Sequence, residues 1–213
     1  MLIRLFACAW ALLCAATAGA QELTTLPVPT VEYAADRVIE TDSGTFGGRV
    51  YAVQGKERAE MEAGGMKSVM ILRFEERKGW MLLPAQRMYQ ELDFAKAREQ
   101  AGKPSDDVKI SAVGPDTVEG HAVTKYKLVM KDGSAGGFVW ITPEGIAIKI
   151  DMVQKSGKKH DRMTMTLQNL QIGAQDPALF EVPAGWSKMP AFGGMFGAGG
   201  GLGGGAKKLF GGR

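Results

Sequence analysis

The chain has 213 residues, 45% hydrophobic and 23% charged, a globular composition that is neither disordered nor collagenous. Lysine plus arginine (26) nearly balances aspartate plus glutamate (23), and a net charge of +3 carries no nucleic-acid footprint, so no nucleic-acid partner is expected. With only two histidines and two cysteines, the chain has little material for zinc or thiol chemistry.

Residues 1–20 read as a secretory signal peptide. Arg4 is the positive n-region, Leu5 to Ala18 the apolar run, and Ala18-Gly19-Ala20 the small-residue cleavage site, with Gln21 as the mature N-terminus. The run is 14 residues long, short of the ~20 a spanning helix needs. Cys8 and Cys14 both lie inside it, and Leu12-Leu13 before Cys14 does not suit a lipid-modified cysteine. The expectation is an export product without lipid anchor or disulfide. Its expected location is a bacterial periplasm, with secretion as the alternative.

Residues 21–30 carry Pro27 and Pro29 and read as an extended lead-in. One domain follows over 31–189. It reads as short strands with period-2 alternation. Tyr33 to Glu40 and Thr45 to Gln54 make a hairpin across Asp42-Ser43-Gly44. In Lys56 to Ala63, Ala59, Met61 and Ala63 share one face and Arg58, Glu60 and Glu62 the other. Gly64-Gly65 turns the chain into Lys67 to Glu75, where Ser68, Met70, Leu72 and Phe74 oppose Val69, Ile71, Arg73 and Glu75. Trp80 to Leu83 and Met88 to Leu92 follow, joined by a turn over Pro84 to Gln86. Asp93 is a plausible N-cap for a short helix carrying Phe94, Ala97 and Ala101 and stopped by Gly102. Val108 to Val113 and Thr117 to Glu119 then flank a turn at Gly114-Pro115-Asp116. His121 to Met130, Gly137 to Thr142, Ile146 to Gln154 and Asp161 to Leu170 complete the set, with a type I turn at Thr142-Pro143-Glu144-Gly145. Such short connections imply antiparallel pairing. The fold class is mainly β (α+β): one curved antiparallel sheet of about ten strands forming a half-open barrel, with one short covering helix. Residues 190–213 hold eleven glycines and read as a flexible tail. Its scattered Phe192, Met195, Phe196, Leu202, Leu209 and Phe210 make a peripheral membrane or partner contact an alternative.

The stretch Gly55-Lys56-Glu57-Arg58-Ala59-Glu60, then Ile71-Leu72-Arg73-Phe74, Trp80-Met81-Leu82-Leu83-Pro84 and Met88-Tyr89-Gln90-Glu91 resembles the bacterial domain of unknown function 4412. More distantly the chain is similar to periplasmic lipoprotein carriers and their sensor relatives. Leu167-Gln168-Asn169-Leu170 and Asp176 to Trp186 agree with the way such domains close. The resemblance implies an unclosed antiparallel barrel with an apolar concavity that accepts acyl chains. Leu23 to Thr30 is proline-interrupted, so a long N-terminal lid helix is not expected, and no site residue is carried over.

Catalysis finds little support. There is no Gly-x-Ser-x-Gly elbow, no His-Glu-x-x-His pair and no phosphate-cradling loop. His160 sits in the basic hairpin tip Lys155 to His160, and His121 follows Gly120 at a strand start. Adjacent carboxylates such as Glu75-Glu76 and Asp106-Asp107 point to opposite faces of a strand. The expectation is a non-enzyme with no cofactor and no metal. Nine methionines (Met61, Met66, Met70, Met81, Met88, Met130, Met152, Met163 and Met165) read first as core filling, then as a pliable apolar cavity, and last as Cu(I) ligands. Candidates to line an apolar cavity are Met70, Leu72, Phe74, Trp80, Leu82, Phe138, Trp140, Ile148 and Ile150. The functional expectation is a periplasmic binding protein holding a lipid, a lipoprotein or another apolar ligand. The alternative is an envelope interaction module with a filled core, acting through its surface and tail.

Overall fold

The computed structural model describes residues 22–93, 108–156 and 159–189. The expected signal peptide, the helix over 94–102 and the glycine-rich tail lie outside the described residues. Thirteen strands are present: β1 (Glu22–Leu23), β2 (Tyr33–Thr41), β3 (Gly44–Val53), β4 (Lys56–Ala63), β5 (Met66–Arg73), β6 (Lys78–Leu83), β7 (Met88–Glu91), β8 (Val108–Val118), β9 (His121–Met130), β10 (Ala135–Ile141), β11 (Ala147–Ser156), β12 (Lys159–Ile172) and β13 (Ser187–Lys188). They form one open, curved sheet in the order β1-β8-β9-β10-β11-β12-β2-β3-β4-β5-β6-β7-β13. All pairings are antiparallel except β13 on β7. The only helical pieces among the described residues are two 3₁₀ segments, Pro84–Gln86 and Pro177–Phe180.

The strand count exceeds the expected ten for a physical reason. The two-residue strands β1 and β13 are too short to show any periodicity, and each pairs with the outer edge of a neighbouring strand. β1 pairs with Ile110 and Ser111 of β8, and β13 with Met88 and Tyr89 of β7. Unpaired sheet edges invite association, and here the chain's own flanks blunt both.

One expected break is absent. Val108 to Val118 is one strand, not two, because the Gly114 region forms a bulge: the register shifts between Ala112 and Gly114, and Gly114 sits at φ 145°. Pro115 is tolerated because β1 covers β8 only near residues 110 and 111. At the expected hairpin Lys155 to His160, β11 and β12 close antiparallel, with Lys155 opposite His160 and Ser156 opposite Lys159. The expected turns elsewhere form. Gly64 and Gly65 both have positive φ (59° and 77°), the combination a two-residue type I′ hairpin needs. The Gly145 amide donates to the Thr142 carbonyl at 2.9 Å.

Two buried clusters hold the sheet. The larger joins Tyr33, Ala35, Val50, Ala52, Ile148 and Leu167 to Val123, Trp140 and Ile146. The lead-in is fastened beside it, where the Thr30 amide donates to the Glu144 carbonyl at 2.9 Å. The smaller cluster is Val69, Ile71 and Leu82 beneath Phe180, with Trp80, Tyr89, Leu179 and Trp186 packed around it.

Candidate functional site

Side chains alternate across a strand, so the registers sort the strand residues onto two faces. On one face lie Tyr33, Ala35, Arg37 and Ile39 of β2, then Phe46, Gly48, Val50 and Ala52 of β3. Glu57, Ala59 and Met61 of β4 continue it, followed by Ser68, Met70 and Leu72 of β5 and by Met81 and Leu83 of β6. On the far side of β2 the same face carries Met163, Met165 and Leu167 of β12, Ile150 and Met152 of β11, and Tyr126, Leu128 and Met130 of β9. All nine methionines of the described strands fall on this face, which is called the methionine face below. None is fully buried, and Met66 is 61% exposed. The largest fully buried side chains are Val50, Ile71, Ile146, Ile148, Leu82 and Phe180, and Met165 packs against the larger cluster from a partly buried position. Thioether side chains at a partly exposed surface give an adaptable apolar lining.

The opposite face differs in kind. Over β3 to β6 it carries Arg58, Glu60, Val69, Ile71, Arg73, Trp80 and Leu82. The segment Pro177–Trp186 lies across it as a strap. Asp176 starts the strap, its carboxylate accepting from the Ala178 amide at 2.9 Å, with Pro177 following as the first helical residue. Arg58 donates to the Leu179 carbonyl at 3.1 Å, and Arg73 donates to the Phe180 carbonyl through Nε (3.2 Å) and Nη2 (3.1 Å). Arg73 also pairs with Glu181 and lies over the Trp80 ring at 5.4 Å. Over β8 to β11 this strap-side face holds Phe138 and Trp140 beneath Lys125, whose Nζ stands 4.2 Å and 4.8 Å from the two ring centres. The Trp140 indole donates to Asp116 at 2.8 Å and holds that carboxyl below the usual range.

The nine candidate residues therefore do not line one surface. Met70, Leu72, Ile148 and Ile150 belong to the methionine face, with Ile148 fully buried. Trp80, Leu82, Phe138 and Trp140 point the other way. Phe74 lies just past the end of β5 and is 52% exposed. The aromatic residues divide between the faces: Trp80, Phe138 and Trp140 lie on the strap side, and Tyr33, Phe46 and Tyr126 on the methionine face.

One charged pair interrupts the methionine face between β2 and β7. Arg37 of β2 reaches across β3 to Glu57 of β4 and donates to it at 2.7 Å. Both side chains are about three-quarters buried, at 22% and 24% exposure. Beneath the pair β3 offers only Val50 and Ala52, and this is the space that lets an arginine cross it. Tyr33 stands beside them. Burial, with the negative charge of Glu57, pushes its phenol up to about 12, and Arg37 pulls the other way. The Arg37 Nε–H is buried without a hydrogen-bond partner among the described residues, as is Gln154 Oε1, also on this face. Next to Arg37 is a shallow dent of about 10 Å³, lined by Ile39, Phe46, Gly48, Ala59 and Met61. That is room for about one water. Gly48 forms its floor: a Cβ there would stand 1.7 Å from the Glu60 carbonyl oxygen. Gly137 occupies the matching position between Leu128 and Met152, where a Cβ would stand 2.0 Å from the Asp151 carbonyl.

Among the described residues, no group of three or more His, Cys, Asp or Glu side chains is placed to hold a metal ion, and no helix is long and apolar enough to cross a membrane.

A family model described as a domain of unknown function, DUF4412, matches residues 40–146, half of the chain. A search of curated proteins gives no match. Among solved structures, a chain of the MucA/MucB complex of Pseudomonas aeruginosa matches at 14% identity and a TM-score of 0.51, over 72% of this chain and 56% of that one. An uncharacterized conserved protein from Thermus thermophilus matches at 13% identity and a TM-score of 0.50, over 75% of this chain and 90% of that one. A putative outer membrane lipoprotein-sorting protein domain from Vibrio parahaemolyticus matches at 9% identity and a TM-score of 0.33, over 70% and 89%. At these identities the likeness is one of fold, and the chain spans little more than half of the MucA/MucB-complex chain, at 56%.

Proposed function

The chain belongs to the DUF4412 family, and from its two unlike sheet faces we propose that it is an exported, non-enzymatic binding protein of the bacterial envelope. It holds an apolar acyl-type ligand, a lipid or the lipid part of a lipoprotein, against the methionine face, with the sheet curled around it as a half-barrel. One observation carries the reading: all nine methionines of the described strands share one partly exposed face, while the charged residues of β3 to β6, Glu57 apart, lie on the other. Val50, Ile150, Leu72 and Leu167 share this face with the methionines, so the face is largely apolar, and its partly exposed, flexible thioethers suit chains of varied shape. The resemblance to lipoprotein carriers agrees with this use of the fold.

The test is binding of N-phenyl-1-naphthylamine, a neutral apolar probe that fluoresces on leaving water, followed by displacement with a fatty acid. The mature protein, starting at Gln21, is expected to bind the probe and release it to the acid. Met70→Lys combined with Met81→Lys places two charges on directly opposed positions of the face and is expected to weaken binding at least about tenfold. Arg162→Gln on the strap side is expected to change nothing. A wild-type protein that binds no probe would overturn the reading. That result would favour the alternative, an interaction module with a filled core, which the small volume of the dent (about 10 Å³) supports.

A further inference from the structure

Resting on the acyl-ligand reading, we infer that the Arg37–Glu57 pair is the polar anchor of the methionine face, and that it takes the oxygen-bearing head of the ligand, a carboxylate or ester carbonyl, on the unused N–H of Arg37.

Three observations converge on it. First, the pair supplies the only charged side chains that β2 to β7 place on this face. A merely solubilising charge belongs on the strap side, where these strands put all their others. Second, the arginine is incompletely used. Glu57 takes one donor at 2.7 Å, while the Nε–H is buried and unpaired. A buried donor without an acceptor is costly, and an incoming oxygen relieves that cost. Third, the space is adjacent. The dent beside Arg37 has Gly48 on its floor, and Ile39, Phe46 and Met61 are among its walls. Arg37 and Gly48 stand opposite each other on β2 and β3, and the face continues as apolar methionine and leucine towards β6. A head seated at Arg37 therefore has its chain laid along Met61, Met70 and Met81.

Glu57 sets the sign of the specificity. Its carboxylate satisfies Arg37 in the free protein and repels a ligand carboxylate, so it favours a neutral carbonyl and moderates binding of a free acid. Removing that charge has the opposite effect on acids from removing Arg37.

The experiment measures the affinities of cis-parinaric acid, its methyl ester and N-phenyl-1-naphthylamine for the wild type, Arg37→Met and Glu57→Gln, with thermal melts to establish folding. Arg37→Met is expected to weaken the acid about tenfold while leaving the naphthylamine within twofold. Glu57→Gln, nearly isosteric, is expected to tighten the acid several-fold and to leave the naphthylamine alone. If the ester weakens with the acid in Arg37→Met, the anchor reads a carbonyl oxygen. If only the acid weakens, it reads a carboxylate. Both results support the anchor. Equal weakening of all three probes in Arg37→Met, or an unchanged acid in both variants, overturns it and assigns the pair a structural role. Failure of the wild type to bind even the naphthylamine is a different result, and it removes the acyl-ligand reading itself.

Discussion

The two faces of β3 to β6 are made by the same four strands, yet they solve opposite problems. On the strap side, Val69, Ile71 and Leu82 are 6%, 0% and 1% exposed because Phe180, itself 1% exposed, closes over them. On the methionine side, Val50, Ala52 and Ala59 of β3 and β4 are buried, while Met61, Met70, Leu72 and Met81 remain partly exposed. Burial here follows from what lies opposite a face and not from how apolar it is. The strap face is the more charged of the two and is nonetheless the one the chain closes. Its arginines make this workable: Arg58 and Arg73 spend their donors on carbonyls of the strap, so closing the face satisfies charges at the same time as it buries apolar surface.

The comparison can be broken most sharply at Phe180. Phe180→Ala empties the centre of the smaller cluster and is expected to lower stability by about 4 kcal/mol in chemical denaturation. If the strap contributed nothing, the loss would be negligible. Gly48 is the next test, on the other face. Gly48→Ala forces a Cβ into the Glu60 carbonyl and is expected to cost about 3 kcal/mol. Gly47→Ala, whose Cβ would meet nothing closer than the Arg37 carbonyl at 3.7 Å, is expected to stay within about 1 kcal/mol of wild type. Arg73→Ala removes both bonds to the Phe180 carbonyl and is expected to cost about 2 kcal/mol. It should also raise protease cleavage within 177–186 while leaving probe binding on the methionine face unchanged.

The smallest effect concerns pH. The Tyr33 phenol is raised to about 12 in the folded state, from 10.0. A raised value means that the folded state holds the proton longer than the unfolded one. The stability it contributes is complete below pH 10 and is lost as pH rises from about 10 to about 12. The difference in stability between Tyr33→Phe and wild type is therefore expected to be constant up to about pH 10 and to shift in favour of the variant above it. A parallel pair of curves through pH 12 would mean that Tyr33 is not held by burial beside Glu57.

Much of the sheet was legible from local chemistry. The alternation in Lys56–Ala63 and Lys67–Arg73 is reproduced by the register, and Gly64-Gly65 makes the turn its positive φ values require. Local signals misled where a single residue type has two uses. Gly114-Pro115-Asp116 has the composition of a turn but forms a bulge, because Gly114 absorbs the extra residue without reversing the chain. The site was legible only in part. The candidates Trp80, Leu82, Phe138 and Trp140 lie on the face opposite Met70, Leu72, Ile148 and Ile150, since parity is kept within a strand but must be carried between strands by register. Arg37 and Glu57 gave no local sign of their meeting. They lie 20 residues apart on strands that do not pair with each other.

By itself the sequence determined that these strands would have two unlike faces, because period-2 alternation of methionine against charge permits no other arrangement of an extended chain. Only the tertiary structure decided which face the protein closes for itself. That choice rests on contacts such as Arg58 to Leu179 and Arg73 to Phe180, which span 121 and 107 residues. Contacts at such separations leave no mark in the local pattern, because their formation depends on loop closure and on shape, and neither is written in the spacing of neighbouring residues.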